Sequence, residues 1–225
     1  MPEVLRVAID SGQSVSAIAY APAARRDTGI TLILGHGAGA GQGSSFMVDF
    51  ATGLAARGID VVTFNFPYME QRRRLPDPND RLEACYRAVI ERVRGSGTKK
   101  LAIGGKSMGG RIASQIASGA VELTGVVLLG YPLHPPRKPQ QRRVKHLPGI
   151  TAPMLFVQGT RDDFGTADEV RAAIGSLLSA ELYLVDGGDH SFKVLKRTGV
   201  PQERVYAEIQ DKVADWLCKS AALKR

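Results

Sequence analysis

The sequence predicts a doubly wound α/β fold, in which helices cover both faces of a mostly parallel sheet. Short, continuously apolar runs alternate with longer amphipathic segments along most of the 225 residues, as in buried parallel strands connected by helices. Hydrophobic residues make up 44% and charged residues 23% of the chain, which argues against fibrous and disordered classes. No internal repeat or long linker divides the sequence, so we expect a single domain over residues 1–225.

The N-terminal segments differ from this rhythm because they alternate in polarity. Leu5–Ile9 and Val15–Tyr20 both show this alternation, and the polar residues 10–13 separate them. Two short alternating runs joined by a tight polar turn are typical of a β-hairpin. We therefore expect an antiparallel hairpin at one edge of the sheet.

The next apolar run leads into a glycine-rich loop. Ile30–Leu34 reads as a buried strand, and residues 36–41 that follow have unusual backbone freedom because every second one is glycine. A helix is expected next, with Ser44 or Ser45 as its N-terminal cap and residues 57–58 at its end.

From there strands and helices alternate to the end of the chain. The predicted strands are Asp60–Phe64, Leu101–Gly104, Gly125–Leu129, Pro153–Gln158 and Leu182–Val185, and the predicted helices are Asp80–Arg94, Met108–Ser118, Ala167–Leu178 and Pro201–Ala221. Two connections are long, 65–78 and 131–150, and the second is rich in proline and basic residues. Connections of that length usually serve a site or are disordered.

The charge balance is strongly positive. Thirty Lys and Arg against 22 Asp and Glu give a net charge of +8, concentrated at Arg72–Arg74 and in residues 137–146. Solvated loops are the simpler interpretation, and the alternative is that two basic loops flank a pocket and favour anionic substrates. Because the aromatic residues typical of single-strand binders do not interleave with these charges, the sequence disfavours a nucleic-acid partner.

Several classes of protein are disfavoured by what the sequence lacks. No apolar stretch approaches the roughly 18 residues of a membrane helix, and the first residues do not resemble an export signal. We expect a cytoplasmic protein without membrane contact, as a monomer or small homo-oligomer. Cys85 and Cys218 have neither metal-site nor disulfide-framework spacing, so we expect reduced thiols and neither metal nor cofactor.

A Gly-x-Ser-x-Gly motif lies between a predicted strand and a predicted helix. Gly105 and Gly109 flank Ser107 within it, and small residues there permit a sharp strand-to-helix turn that presents the serine. An inert serine in a glycine-rich turn is the simpler interpretation of the motif alone. Its position at the carboxyl end of a strand favours a nucleophile, since loops at that edge of a parallel sheet form the functional site.

A serine nucleophile needs a neighbouring base, and the base needs an orienting acid. Asp162 follows one late strand and His190 follows the next, which gives the order Ser, Asp, His along the chain. The other candidates for the acid are Asp163, Asp186 and Asp189, which we expect to bond loop amides or cap a helix. The remaining histidines lie in the glycine-rich and basic loops.

The developing negative charge of an acyl-transfer reaction requires preorganised donors. We expect one to be the backbone amide of Met108, at the start of its helix, and the other that of Ala38 in the glycine-rich loop, with Gly37 or Gly39 as alternatives. A phosphate-binding loop is the competing interpretation, but neither common nucleotide-binding glycine motif occurs in the loop.

With these residues in place, the sequence resembles the α/β-hydrolase superfamily from about residue 30 to residue 218. A closer similarity is to small dienelactone-hydrolase-like proteins, to testis-expressed proteins and to a subunit of the non-specific-lethal chromatin complex. It is carried by residues 105–111, 131–136, 154–159 with Asp162, and 189–191. The resemblance implies an eight-stranded type of sheet without a large lid and the triad Ser107, Asp162 and His190. True dienelactone hydrolases use cysteine where this chain has Ser107.

Together these observations predict a serine hydrolase that acts on small carboxylic esters through an acyl-enzyme on Ser107, with a small-molecule acyl substrate. The residues predicted to line its pocket are His36, Tyr68, Tyr131, His134 and Phe164. The alternative is a non-catalytic binding or scaffold module that keeps the fold and holds a protein or anionic ligand with its basic loops, because some relatives are subunits of complexes.

Overall fold

The computed structural model describes residues 2–10, 12–119 and 121–223, so Ser11 of the predicted hairpin turn lies outside the described residues. The strands are β1 (Glu3–Asp10), β2 (Gln13–Tyr20), β3 (Ile30–Gly35), β4 (Asp60–Phe64), β5 (Lys100–Lys106), β6 (Gly125–Leu129), β7 (Met154–Gly159) and β8 (Ala180–Val185). The helices are α1 (Ser45–Ala56), α2 (Pro67–Glu70), α3 (Asn79–Arg94), α4 (Met108–Ala117), α5 (Ala167–Ile174) and α6 (Gln202–Ala222).

Within the described residues, eight strands form one sheet in the order β1-β2-β4-β3-β5-β6-β7-β8. β1 pairs antiparallel with β2, and β2 pairs antiparallel with β4. All pairings from β4 through β3 to β8 are parallel. The predicted doubly wound, mostly parallel sheet with an antiparallel N-terminal hairpin is therefore confirmed.

Helices cover both faces of the sheet. Because successive strand residues point to opposite sides, each strand contributes to the core on both faces. In β7, Phe156 packs into the core under α3, α4 and α5, whereas its neighbours Leu155 and Val157 pack into the core under α1 and α6. In β3, Ile33 faces the first core and Leu32 the second. Strands buried on both faces must be continuously apolar, which is why they are evident in the sequence.

The structure differs from the prediction at a few element ends. Helix α2 lies inside the connection predicted as a loop, and it begins at Pro67, a residue suited to the first turn of a helix. Ser44, one of the two predicted caps, is the N-cap of α1, but its side chain forms no capping hydrogen bond. Helix α5 ends at Ile174 rather than Leu178, because Gly175 takes the C-cap position.

This topology gathers three loops at one edge. Strands β5, β7 and β8 are parallel and end at the same side of the sheet, so the residues that follow them lie together. The connection from β6 to β7, residues 130–153, contains a 3-10 turn at Leu147–Gly149 but no α-helical lid in its described residues. Among the described helices, none has the length and apolar character required to cross a bilayer.

Candidate active site

Ser107 occupies a strained turn directly between β5 and α4. Its backbone has φ 51° and ψ −114°, a left-handed region that non-glycine residues rarely adopt. The turn is held in place because the Ser107 N–H donates to the carbonyl of Leu129 at 3.0 Å and the Ser107 carbonyl accepts from Arg111 N–H at 3.0 Å. The serine side chain is thereby presented above the edge of the sheet.

Two glycines permit this turn because neighbouring backbone lies against them. A β-carbon on Gly105 would lie 2.4 Å from the carbonyl oxygen of Gly35, and one on Gly109 would lie 2.1 Å from the same oxygen. Both distances are far inside van der Waals contact, so any larger residue would separate the turn from the end of β3. The close approach brings the glycine-rich loop that follows β3 next to Ser107.

A chain of hydrogen bonds joins Ser107, His190 and Asp162. His190 Nε2 lies 2.8 Å from Ser107 Oγ, and His190 Nδ1 lies 2.8 Å from Asp162 Oδ2. This geometry matches the tautomer in which Nδ1–H donates to the carboxylate and Nε2 accepts from the serine hydroxyl. The three side chains, far apart in the sequence, therefore meet at one edge of the sheet.

Asp162 is the aspartate that the structure brings to His190. Its side chain is fully buried, and besides His190 it accepts hydrogen bonds from the Gln158 side chain (2.8 Å) and from Phe164 N–H (2.8 Å). These bonds compensate for burial of the carboxylate and fix its orientation.

The three competing aspartates lie elsewhere. Asp163 and Asp186 are exposed. Asp189 accepts from the backbone amides of Ser191 (2.7 Å) and Lys193 (2.9 Å), so it stabilises the loop that carries His190. That is the loop-bonding role predicted for it.

Phe164 orients the imidazole from one side. Its ring stacks on His190 with 4.2 Å between centroids and an interplanar angle of 27°. Its own backbone amide bonds Asp162, so acid, base and aromatic ring are positioned as a unit.

Ala38 and Met108, the residues predicted to donate backbone amides, lie beside Ser107. Ala38 and Met108 both line the cavity that contains Ser107. A β-carbon on Gly37 would lie only 3.5 Å from Ser107 Cβ, which shows how close this loop comes. In the described part of the chain, neither amide donates to a protein acceptor. Met108 is also the first residue of α4, where the helix dipole favours negative charge.

Two cavities meet at Ser107, each of about 390 Å³. We call one the arginine cavity, whose wall includes Asn79, Leu82, Arg111, Pro132 and Arg143. The other, the aromatic cavity, has Phe46, Lys106, His190 and Tyr206 in its wall. Ser107, Ala38 and Phe164 line both.

Phe164 lines both cavities beside Ser107, as predicted. His36 and Tyr68 were also predicted to line the pocket, but that prediction is corrected because neither residue lines either cavity. Both side chains are fully buried. His36 Nδ1–H donates to the Gly37 carbonyl at 2.9 Å, and Nε2 accepts from Phe66 N–H at 3.1 Å. Burial lowers the pKa of His36 to about 4. The neutral imidazole therefore stabilises the glycine-rich loop by joining Gly37 to Phe66. The Tyr68 ring packs against the imidazole.

The predictions for Tyr131 and His134 are corrected for a similar reason. The Tyr131 hydroxyl donates to the Arg143 carbonyl at 2.6 Å, and the buried imidazole of His134 contacts the Pro135 carbonyl at 2.8 Å and Glu169 at 3.4 Å. Both residues use their polar atoms to hold the 130–153 connection, so neither faces the two cavities beside Ser107.

Lys106 is a site residue that the sequence analysis missed. Its Nζ is buried and has no hydrogen-bond partner among the described residues, and it lies 5.9 Å from the ring centres of Phe46 and Phe192. Burial lowers the pKa of Lys106 to about 8, although the charges of Asp162 and Asp189 oppose the shift. A lysine at the end of a buried apolar strand is the signal that could have identified it.

Arg111 was missed as well, although it lies only two residues after the predicted serine motif. Of the basic residues predicted in the two loops, Arg143 lines the arginine cavity, whereas Arg72 and Arg142 are exposed. The described residues contain no cluster of three or more His, Cys, Asp or Glu that could hold a metal ion.

A family model described as "Alpha/beta hydrolase domain" matches residues 28–218. The chain belongs to this alpha/beta hydrolase family. The narrower resemblance to the dienelactone-hydrolase-like, testis-expressed and non-specific-lethal-subunit branch remains a prediction.

Solved structures similar to this alpha/beta hydrolase share its fold at low identity. One is a serine hydrolase without lid from Xanthomonas campestris (21% identity, 96% of this chain and 94% of that chain, TM-score 0.76). Another is a dienelactone hydrolase from Anabaena variabilis (19%, 96% and 96%, TM-score 0.75). A third is an esterase from Pyrococcus furiosus (15%, 97% and 91%, TM-score 0.75). At these identities the likeness shows the fold of the hydrolase domain and not its substrate.

Proposed function

We propose that the protein is a serine hydrolase that cleaves small carboxylic esters through an acyl-enzyme on Ser107. One observation carries the proposal: Ser107, His190 and Asp162 form a continuous hydrogen-bonded chain whose serine end borders two cavities. Two further observations support the proposal. Asp162 is buried and hydrogen-bonded behind His190, and Ser107 lies in a strained turn. The cytoplasmic location and small-molecule substrate predicted from the sequence belong to this proposal.

In the first half of the reaction, Ser107 Oγ attacks the ester carbonyl carbon while its proton passes to His190 Nε2. The carbonyl π electrons move to the oxygen, where the amides of Ala38 and Met108 stabilise the negative charge. Asp162 stabilises the imidazolium that forms without taking its proton. When the tetrahedral intermediate collapses, the carbon–oxygen bond of the alcohol breaks and the leaving oxygen takes the proton from Nε2.

The second half repeats these steps with water. A water molecule gives a proton to His190 Nε2 as its oxygen attacks the acyl-serine, and the same amides stabilise the second intermediate. The bond to Ser107 then breaks, the serine oxygen regains its proton, and the carboxylic acid leaves. The half-exposed His190 side chain, with 22% of its surface accessible, lets water approach on this side.

Labelling with a fluorophosphonate probe and hydrolysis of short-chain esters test the proposal. Ser107→Ala is expected to abolish labelling and to lower kcat at least about a thousandfold, and His190→Ala to behave similarly. Asp162→Asn is expected to lower kcat about 10³- to 10⁴-fold, because the carboxylate no longer favours the required tautomer. Ser118→Ala is the matched control, since among the described residues its hydroxyl donates only to the Gln115 carbonyl at the end of α4.

Circular dichroism would establish that each variant is folded. If the folded wild-type protein neither reacts with the probe nor hydrolyses any ester, the proposal is wrong, and the non-catalytic binding module becomes the better interpretation.

A further inference from the structure

Two arginines line the arginine cavity, and neither is paired with an acidic side chain among the described residues. Arg111 projects from the first turn of α4, and Arg143 comes from the 130–153 connection. Both side chains are half-buried. Among the described residues neither forms an ion pair with a carboxylate, and the single side-chain hydrogen bond of Arg143 is a long one to the Pro132 carbonyl (3.4 Å).

The Asp77 carboxylate also lines the arginine cavity, and Glu83 lies near Arg111, but both acidic groups are already engaged. The Asp77 carboxylate bonds the backbone amide of Tyr68 and pairs with Arg73 and Arg81. Glu83 accepts from the Asn79 side chain at 2.8 Å and pairs with Arg87 at 3.6 Å. These acids are therefore compensated locally.

A histidine also lies near Arg111. His146 contacts the Ser114 hydroxyl at 2.8 Å, and its pKa is lowered by burial and by the charge of Arg111. Burial and the charge of Arg143 likewise lower the pKa of Arg111, while Tyr131 and Glu83 oppose the shift. Two like charges held together in a partly desolvated wall create a local excess of positive charge, which an anion would neutralise.

The position of His190 decides which part of an ester enters this cavity. The leaving alcohol oxygen must receive its proton from His190 Nε2. His190 lines the aromatic cavity and is not among the described residues that line the arginine cavity. The alcohol portion of the ester is therefore expected in the aromatic cavity and the acyl portion in the arginine cavity.

We propose that Arg111 and Arg143 bind a carboxylate at the far end of the acyl group, so that the preferred substrates are half-esters of dicarboxylic acids. This inference rests on the proposed ester hydrolysis for the assignment of acyl and alcohol sides. Guanidinium groups suit the role because their planar donors match the two oxygens of a carboxylate, and partial burial strengthens such bonds.

The test compares three pairs of substrates, and the two members of each pair differ in charge at the far end of the acyl group. The monobenzyl esters of succinic, glutaric and adipic acid are each paired with the carboxamide analogue of the same length, and benzyl alcohol release is followed by chromatography. The wild type is expected to prefer the carboxylate of the best-fitting length by about tenfold or more in kcat/KM. Arg111→Gln and Arg143→Gln are each expected to reduce that preference about tenfold, which would leave little discrimination between the two substrates of a pair.

Arg142→Gln is the matched control, because it removes the same charge from an exposed position next to Arg143. It is expected to keep the preference. The ratio between the two substrates is informative because general damage to the fold lowers both rates together. A preference that is absent in the wild type, or unchanged in both arginine variants, would overturn the inference.

A binding experiment separates this inference from the proposed function. The Ser107→Ala variant is titrated with monobenzyl glutarate in a calorimeter. The same titration is then made with the double variant that carries Ser107→Ala and Arg111→Gln. Binding that weakens about tenfold or more with the second substitution supports the carboxylate site even if no ester is hydrolysed. Equal or undetectable binding in both proteins rejects the site, even if neutral esters are cleaved at Ser107.

Discussion

Replacing Lys106 by methionine is expected to stabilise the folded protein at neutral pH. The ammonium group is buried without a hydrogen-bond partner among the described residues. Burial lowers the pKa of Lys106 from 10.5 to about 8, and the charges of Asp162 and Asp189 do not offset this. Methionine has a similar length and no charge, so Lys106→Met removes the cost of desolvation and leaves the space filled.

The pKa of Lys106 sets the size of the effect. A fall from 10.5 to about 8 corresponds to roughly 3 kcal/mol by which the folded state disfavours the ammonium form. Lys106→Met also loses the cation–π contacts with Phe46 and Phe192, whose ring centres lie 5.9 Å from Nζ, and this loss reduces the gain by roughly 0.5–1 kcal/mol. The net gain expected at pH 7 is therefore about 2 kcal/mol.

The direction of the pH dependence follows from proton binding. Between pH 8 and 10.5 the unfolded chain holds the Lys106 proton and the folded protein does not, so wild-type stability rises with pH in this window. Below pH 8 both states are protonated and the full cost remains. The advantage of Lys106→Met is therefore greatest below pH 8 and is lost as the pH approaches 10.5.

Urea unfolding at pH 7 and at pH 9.5 measures both effects. Lys100→Met is the control, because Lys100 begins the same strand but is only half-buried, and its effect should stay within about 0.5 kcal/mol. The reasoning is refuted if Lys106→Met is less stable than the wild type at pH 7, or if its advantage does not shrink at the higher pH.

Two further predictions concern the support of the site. Gly109→Ala is expected to cost more than about 3 kcal/mol in urea unfolding, because its β-carbon would lie 2.1 Å from the Gly35 carbonyl, whereas Gly43→Ala, with no atom within 4 Å, should be nearly neutral. A small loss at Gly109 would contradict the close approach. The lowered pKa of His36 predicts that up to about 3 kcal/mol of stability is lost as the pH falls from 6.5 to about 4, because the unfolded state then binds the extra proton. If the stability of His36→Gln falls by the same amount over that pH range, another group is responsible for the loss.

The sequence was sufficient for the fold and for the residues of the hydrogen-bonded chain. Parallel strands are buried on both faces, so runs such as Asp60–Phe64 and Gly125–Leu129 stand out, and both have the predicted boundaries. Because parallel strands end at the same edge, the order of Ser107, Asp162 and His190 along the chain already implied that they meet. Their distances needed the structure.

The predicted pocket lining was mostly wrong for a physical reason. Tyr68, Tyr131 and His134 lie in long connections, and a sequence does not show whether a side chain in a loop turns into the core or toward the site. In each case the connection folds back so that the side chain is buried. Short helices such as α2 are missed for a related reason, since four residues are too few to display a helical period.

The segment from Lys106 to Arg111 concentrates several costly features in one place. Lys106 is a desolvated cation, Ser107 has a strained backbone, and Arg111 repels a neighbouring guanidinium. All three border the cavities that meet at Ser107. In a protein that used this surface only as a scaffold, substitutions that remove these features, such as Lys106→Met or Ser107→Gly, would be expected to raise the stability, because each feature opposes folding. Under the proposed function each feature has a use, since the strained turn would present the nucleophile and the unpaired charge would attract a substrate of opposite sign.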